Sequence, residues 1–144
     1  MLSKKEINLI RQFNRRYTNT LGLLNKRVFN TELSFPEARV LMSIGDNNTP
    51  MAIATTLNLD ASYTSRIIKK LTKLNYIEKS TSTIDARSKN ISLTKDGISL
   101  LAKIDADSNV QIQKLIQNLS NQNQFKLYQA FETINNILFE TDGK

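Results

Sequence analysis

Thr49-Pro50-Met51-Ala52-Ile53-Ala54-Thr55-Thr56-Leu57-Asn58-Leu59-Asp60 runs directly into Ala61-Ser62-Tyr63-Thr64-Ser65-Arg66-Ile67-Ile68-Lys69-Lys70-Leu71-Thr72-Lys73. Thr before Pro is a helix-start signal, because the hydroxyl caps a free N–H and Pro suits the first helical position. Ile53, Ala54 and Leu57 then form the inner side of a short helix. Asn58 follows, one of the few non-glycine residues that tolerate a left-handed backbone. Asp60 caps a second helix at once. Two short helices joined by so tight a turn predict a helix-turn-helix.

At about 100° per residue the second helix of the pair separates into two faces. Thr64, Ile67, Leu71 and Leu74 fall on one side. Ser62, Ser65, Arg66, Lys69 and Lys73 fall on the other, with Tyr63 and Lys70 on the flank. The outward side carries no acid, whereas a merely solvated helix usually mixes both signs. An all-basic, hydroxyl-bearing face suits a polyanion.

Upstream, Ile7, Ile10, Phe13, Tyr17, Leu21, Leu24 and Val28 recur every three or four residues and predict one helix over residues 4–29. A small domain cannot cover so long a stripe alone, so part of it is expected to meet a second chain. Ser34-Phe35-Pro36-Glu37 reads as a capping box opening a helix with Ala38, Val40, Leu41 and Ile44 inward, ending near Gly45. Downstream, Tyr76–Ser80 and Asn90–Thr94 alternate apolar and polar residues and predict a β-hairpin. Its extended tip contains Asp85, Arg87 and Lys89. Thr94 caps a fifth helix bearing Ile98, Leu101, Ile104, Ile112, Leu115, Ile116 and Leu119, with a kink or break near Asp105–Asn109. After a polar connector at Ser120–Gln124, a sixth carries Phe125, Tyr128, Phe131, Ile134, Ile137 and Leu138.

Composition removes several function classes. The 144 residues, 40% hydrophobic and 23% charged, suffice for one packed domain. There is no Cys and no His, which excludes disulfides, thiol chemistry and a Ser-His-Asp triad and removes the usual zinc ligands. No glycine-rich phosphate loop occurs, and no apolar run approaches the length of a membrane span. The N-terminus turns polar immediately, and a cytoplasmic protein without metal or cofactor is expected. The net charge of +7 is blocked rather than spread. Residues 1–30 hold seven Lys/Arg against one acid, and residues 61–95 hold eight against two. Residues 31–60 and 96–144 are net acidic. Two basic blocks suggest a nucleic-acid partner, although solvated helix faces can also carry such charge.

The element order, with these motifs, resembles the MarR family of bacterial transcription regulators. Pro50–Asp60 and Ser62–Leu71 look like its helix-turn-helix, and Tyr76-Ile77-Glu78-Lys79 like the opening of its wing. Asp85-Ala86-Arg87 is similar to the family's Asp-x-Arg wing motif, and Leu93-Thr94-Lys95-Asp96-Gly97 to its Leu-Thr-x-x-Gly. Asn75 stands where members often place Gly, and can adopt the same backbone state. Arg11–Tyr17 and Phe35–Leu41 are also similar to the MarR-like half of proteins fused to a GNAT acetyltransferase. The expected fold is mainly α with a small β-wing: a six-helix winged helix-turn-helix, dimeric. Residues 1–32 would form a dimerisation helix, 33–94 the DNA-binding lobe and 95–144 the C-terminal dimerisation helices.

The resemblance implies a homodimer joined by its first, fifth and sixth helices, presenting two recognition helices to successive major grooves of a pseudo-palindromic duplex. On that reading Ser62, Tyr63 and Ser65 reach base edges, a thymine methyl or phosphates. Arg66 takes a guanine edge or a phosphate. Lys69, Lys70 and Lys73 take phosphates, as does Thr49. Arg87 enters or flanks the minor groove with Asp85 holding its guanidinium, and Lys89 joins the same surface. Without the motif, Asp85 and Arg87 read as a surface pair worth under about 1 kcal/mol. The analogy further implies a small aromatic or apolar effector near Phe13, Arg16, Tyr17 and Arg39. By composition alone, Phe13 and Tyr17 read as core.

A ligand-responsive repressor is thus the leading expectation, and no catalytic cluster of acid, base and nucleophile emerges. The alternatives are a protein-interaction adaptor that keeps the fold, or the regulator part of an acetyltransferase fusion.

Overall fold

Each helix start follows from a side-chain cap. A computed structural model describes residues 1–81 and 89–140 of the chain. α1 (Lys4–Thr20) begins with Ser3 and Glu6 as a reciprocal capping box. α2 (Phe35–Ser43) repeats the device with Ser34 and Glu37, with Pro36 in the first turn. α3 (Pro50–Leu57) is capped by Thr49, whose hydroxyl oxygen accepts from the Ala52 N–H at 3.2 Å. α4 (Ala61–Lys73) is capped by Asp60, which accepts from the Tyr63 N–H at 3.0 Å. Asn58 between them has φ 53° and ψ 46°, the left-handed state expected of it.

The hairpin pairs β1 (Ile77–Thr81) with β2 (Lys89–Leu93) in antiparallel register, Ile77 opposite Leu93 and Lys79 opposite Ile91. Both strands begin one residue from their expected starts. Tyr76 lies outside β1 and closes the end of α4 instead, its N–H donating to the Leu71 carbonyl at 3.0 Å. The hairpin is fastened to the α2–α3 turn by the Ile91 N–H, which donates to the Asn48 carbonyl at 2.7 Å. α5 (Lys95–Ile116) is one continuous helix through the polar stretch at 105–109, so the chain does not break there. α6 (Asn121–Phe139) starts four residues before Phe125, because Ser120 is its cap rather than part of a connector.

The largest departure is the length of α1. The apolar period runs on to Val28, but the helix stops at Thr20. Gly22 takes φ 68°, and the N–H groups of Gly22 and Leu23 donate back to Asn19 and Thr18. That is a Schellman stop, and Gly is the residue it requires. Val28 keeps its inward role from within the following loop, at 4% exposure.

By its internal contacts the chain divides into residues 1–107 and 108–144. The core of the first unit gathers Leu33, Val40, Leu41, Ile53, Ile67, Ile68, Leu71, Ile77, Ile91 and Ile104. Thr64 is also fully buried, its hydroxyl donating to the Asp60 carbonyl at 2.9 Å. Ile98, expected inward, is exposed, while Leu100 packs on the core in its place. α1 and α6 bury no residue. Truncating Leu71 to Ala removes a fully buried side chain and is expected to cost about 2–5 kcal/mol of unfolding free energy. A urea midpoint shifted by the equivalent of less than about 1 kcal/mol would contradict this core.

Candidate nucleic-acid interface

α4 presents the candidate surface. Its inner residues Thr64, Ile67, Ile68 and Leu71 are locked in the core, which leaves the opposite face to solvent. Ser62, Ser65, Arg66, Lys69 and Lys73 are all exposed there, as the helical wheel requires. Among them are three cations and no acid.

Two flank residues have settled roles within the fold. Tyr63 is half-buried and packs against the core, and the Arg66 guanidinium lies 5.7 Å from the centre of its ring. Such a contact is worth about 0.5–1 kcal/mol at an exposed site and restricts where Arg66 points. Lys70 turns away from the outer face. Its ammonium donates to both carboxylate oxygens of Glu37, at 2.9 and 3.1 Å. Its charge is therefore matched inside the protein, unlike that of Lys69 or Lys73, for which no ion pair occurs among the described residues. Glu37 thus has two tasks, closing the α2 capping box and tying α2 to α4. Partial burial pushes its pKa up. The Ser34 backbone hydrogen bond, the Lys70 contact and the Ser34 hydroxyl together outweigh that and hold it below the ordinary 4.5.

Thr49 is half-buried and spends its oxygen lone pair on the Ala52 cap, which leaves its hydroxyl proton to offer. Lys89 begins β2 opposite Thr81. Asp85 and Arg87 lie outside the described residues.

Of the four expected effector residues, Phe13, Arg16 and Tyr17 lie on α1 and Arg39 lies on α2. Phe13 and Tyr17 stack on α1 with ring centres 5.0 Å apart and planes 20° from parallel. They are not core: Phe13 is 46% exposed and α1 buries nothing. An aromatic residue counts toward a core only where other elements pack over its helix, and α1 buries none of its residues. Arg16 is exposed on the same helix. Arg39 lines a shallow groove of about 330 Å³ with Phe35, Pro36, Leu57 and Leu59. Among the described residues no group of three or more acidic side chains is placed to hold a metal ion. No helix there is long and apolar enough to cross a membrane.

Residues 31–88 match the model of the MarR family. Solved structures agree with the MarR fold over nearly the full chain. Wild-type MarR from E. coli in its apo form aligns with a TM-score of 0.70 at 20% identity, covering 93% of this chain and 98% of that one. A MarR family protein from Bacillus stearothermophilus reaches 0.82 at 9% identity, covering 96% and 99%. Streptococcus pneumoniae FabT, solved in complex with DNA, reaches 0.68 at 20%, covering 97% and 100%. At such identities the likeness speaks for the fold alone. No curated protein matches the chain in sequence.

The Glu37–Lys70 pair was hidden in the sequence, since its partners lie 33 positions apart and Glu37 was already explained as a cap. Lys70→Ala is expected to cost at most about 1 kcal/mol at neutral pH, because the Lys side is well exposed. With the Glu37 pKa depressed on folding, that contribution is present above 4.5 and is lost as pH falls through the lower folded value. Paired urea titrations of wild type and variant across pH 3–7 check it: a difference that persists at the acid end contradicts the pair.

Proposed function

We propose that this chain is a sequence-specific double-stranded DNA-binding transcriptional regulator that acts in the cytoplasm as a homodimeric repressor on a pseudo-palindromic operator. The observation that carries the reading is the outer face of α4: Ser62, Ser65, Arg66, Lys69 and Lys73 exposed together, with no acid, on a helix whose other face is fixed in the core. A DNA-bound solved structure of the same fold supports it.

In this role Ser62, Ser65 and Arg66 read base edges in the major groove, where all four base pairs differ. Lys69 and Lys73 meet phosphates and release counterions. Thr49 donates its hydroxyl proton to a phosphate beside the start of α3. By the resemblance of Asp85-Ala86-Arg87 to the family's wing motif, Asp85, Arg87 and Lys89 are also assigned to DNA contact. Lys70 contributes to affinity only if it leaves Glu37, so its share is the smallest of the three lysines.

Homodimerisation is supported by the apolar side chains left uncovered on single helices. Ile7, Ile10 and Phe13 on α1 are each more than 40% exposed, as are Phe125, Tyr128 and Ile137 on α6. A second copy is the simplest cover, and a two-fold dimer supplies the second recognition helix. An apolar or aromatic effector near Phe13, Arg16, Tyr17 and Arg39 is supported by the stacked Phe13–Tyr17 pair on α1.

The test is fluorescence anisotropy on a duplex selected from random sequence by the purified protein. Arg66→Ala is expected to lower affinity for that duplex by about 10- to 100-fold and to relax preference at the bases it faces. The Lys69→Ala/Lys73→Ala double variant is expected to weaken all duplexes alike and reduce the salt slope by about two. Unchanged affinity in both variants would overturn the placement of the reading surface.

A further inference from the structure

Three segments meet at the end of α4 through a set of contacts that no DNA-reading role requires. α4 closes with Asn75 in the left-handed state at φ 68°, its N–H donating to the Thr72 carbonyl at 3.0 Å. Thr94 then binds this stop to the start of α5. Its backbone N–H donates to the Tyr76 carbonyl at 3.0 Å, and its hydroxyl donates to the Asn75 carbonyl at 2.6 Å. The same hydroxyl oxygen accepts from the Gly97 N–H at 3.1 Å and so caps α5. The Asn75 side-chain amide donates to Asp96 at 3.1 Å. Gly97 is required by close approach, since a Cβ there would be driven into the Tyr76 carbonyl group, a backbone obstacle that cannot swing aside.

The third segment is the loop that follows α1. The Tyr76 hydroxyl donates to the Glu32 carboxylate. Glu32 sits between the buried residues Thr31 and Leu33. That loop is itself closed by the Val28 N–H on the Leu33 carbonyl at 2.8 Å and the Thr31 hydroxyl on the Val28 carbonyl at 2.7 Å. Glu32 therefore does not hang from a free strand. The hydrogen bond to Glu32, burial and the Glu32 and Asp96 charges push the Tyr76 pKa up to about 12, so the phenol keeps its proton at any working pH.

We infer that Tyr76, Glu32 and Gly97 are positioning residues for DNA recognition: they form a joint that fixes the far end of the recognition helix to α5 and to the loop leading from α1. The inference rests on the DNA-binding reading above and adds to it. None of the three touches DNA. α1 and α5 are two of the helices assigned to the dimer, so the joint sets the angle at which each lobe is carried. The Tyr76–Glu32 contact is the one side-chain tie found between the loop and the joint among the described residues, and Phe can replace Tyr76 without disturbing its ring packing on the core.

The joint matters only when two lobes must engage together. Loosening it lowers the effective concentration of the second lobe at its half-site and leaves the first encounter alone. The experiment measures anisotropy of wild type and Tyr76→Phe on the selected full operator and on a duplex holding one half-site, with thermal melts alongside. Tyr76→Phe is expected to lose about tenfold on the full operator and less than about twofold on the half-site. Its Tm should stay within about 4 °C of wild type. Glu32→Ala should match it, and combining the two should add nothing further, because both remove one contact. Equal losses on both duplexes, or no loss on either, would overturn the joint while leaving the regulator reading intact. Failure of the wild type to bind either duplex would overturn both.

Discussion

The burial of one face of α4 is the constraint from which the rest of the first unit follows. Thr64, Ile67, Ile68 and Leu71 are each at most 3% exposed. Burying each such aliphatic side chain is worth about 1.5–3 kcal/mol, far more than the mutual repulsion of three cations in water. The outer face can therefore be wholly basic without cost to the fold. Because the inner face is packed as tightly as any core, the outer residues are held on a rigid element rather than a loop. Even Thr64, the one polar residue on the inner face, is satisfied locally by the Asp60 carbonyl and needs no outside partner.

The ends of α4 are fixed by local chemistry of the same kind. Asp60 begins it, Asn75 ends it, and both are polar residues doing what backbone geometry demands of them. This is why the helix-turn-helix was legible. Ser34 with Glu37, Thr49 with Pro50, Asn58, Asp60, Asn75 and Thr94 each announce a start or stop within four residues of where it occurs. A cap needs only its neighbours. The stop of α1 was equally local, since Gly22 supplies it, but the apolar period through Leu24 and Val28 spoke louder. Periodicity reports which residues point inward, and Val28 does so from a loop as well as from a helix. The start of α6 was misplaced for the converse reason: Ser120 is a plain cap among polar neighbours with no hydrophobic beat to mark it.

The candidate site divides along the same line. Ser62, Ser65, Arg66, Lys69 and Lys73 lie on one face of one helix, so their exposure follows from spacing. Lys70 shares that helix but is diverted by Glu37, and only the packing of α2 against α4 brings the two together. The joint of Glu32, Tyr76 and Gly97 is likewise non-local, drawing on residues 65 positions apart at its extremes. Only the family resemblance groups Phe13, Arg16, Tyr17 and Arg39. The two aromatics stack on one helix, α1, and Arg39 lines a groove formed by α2, the end of α3 and Leu59.

What makes a basic helix into a reader of sequence is a second copy of it at a fixed distance. On the proposed reading, the apolar residues exposed on α1 and on α6 supply the reason for pairing, and the buried face of α4 supplies the rigidity that gives pairing its use. Hydroxyl-radical footprinting of the protein on a duplex it selects tests this most directly. The account predicts protection in two patches on each strand, centred about one helical turn apart and related by two-fold symmetry. A single patch, or uniform protection without phase, would contradict it.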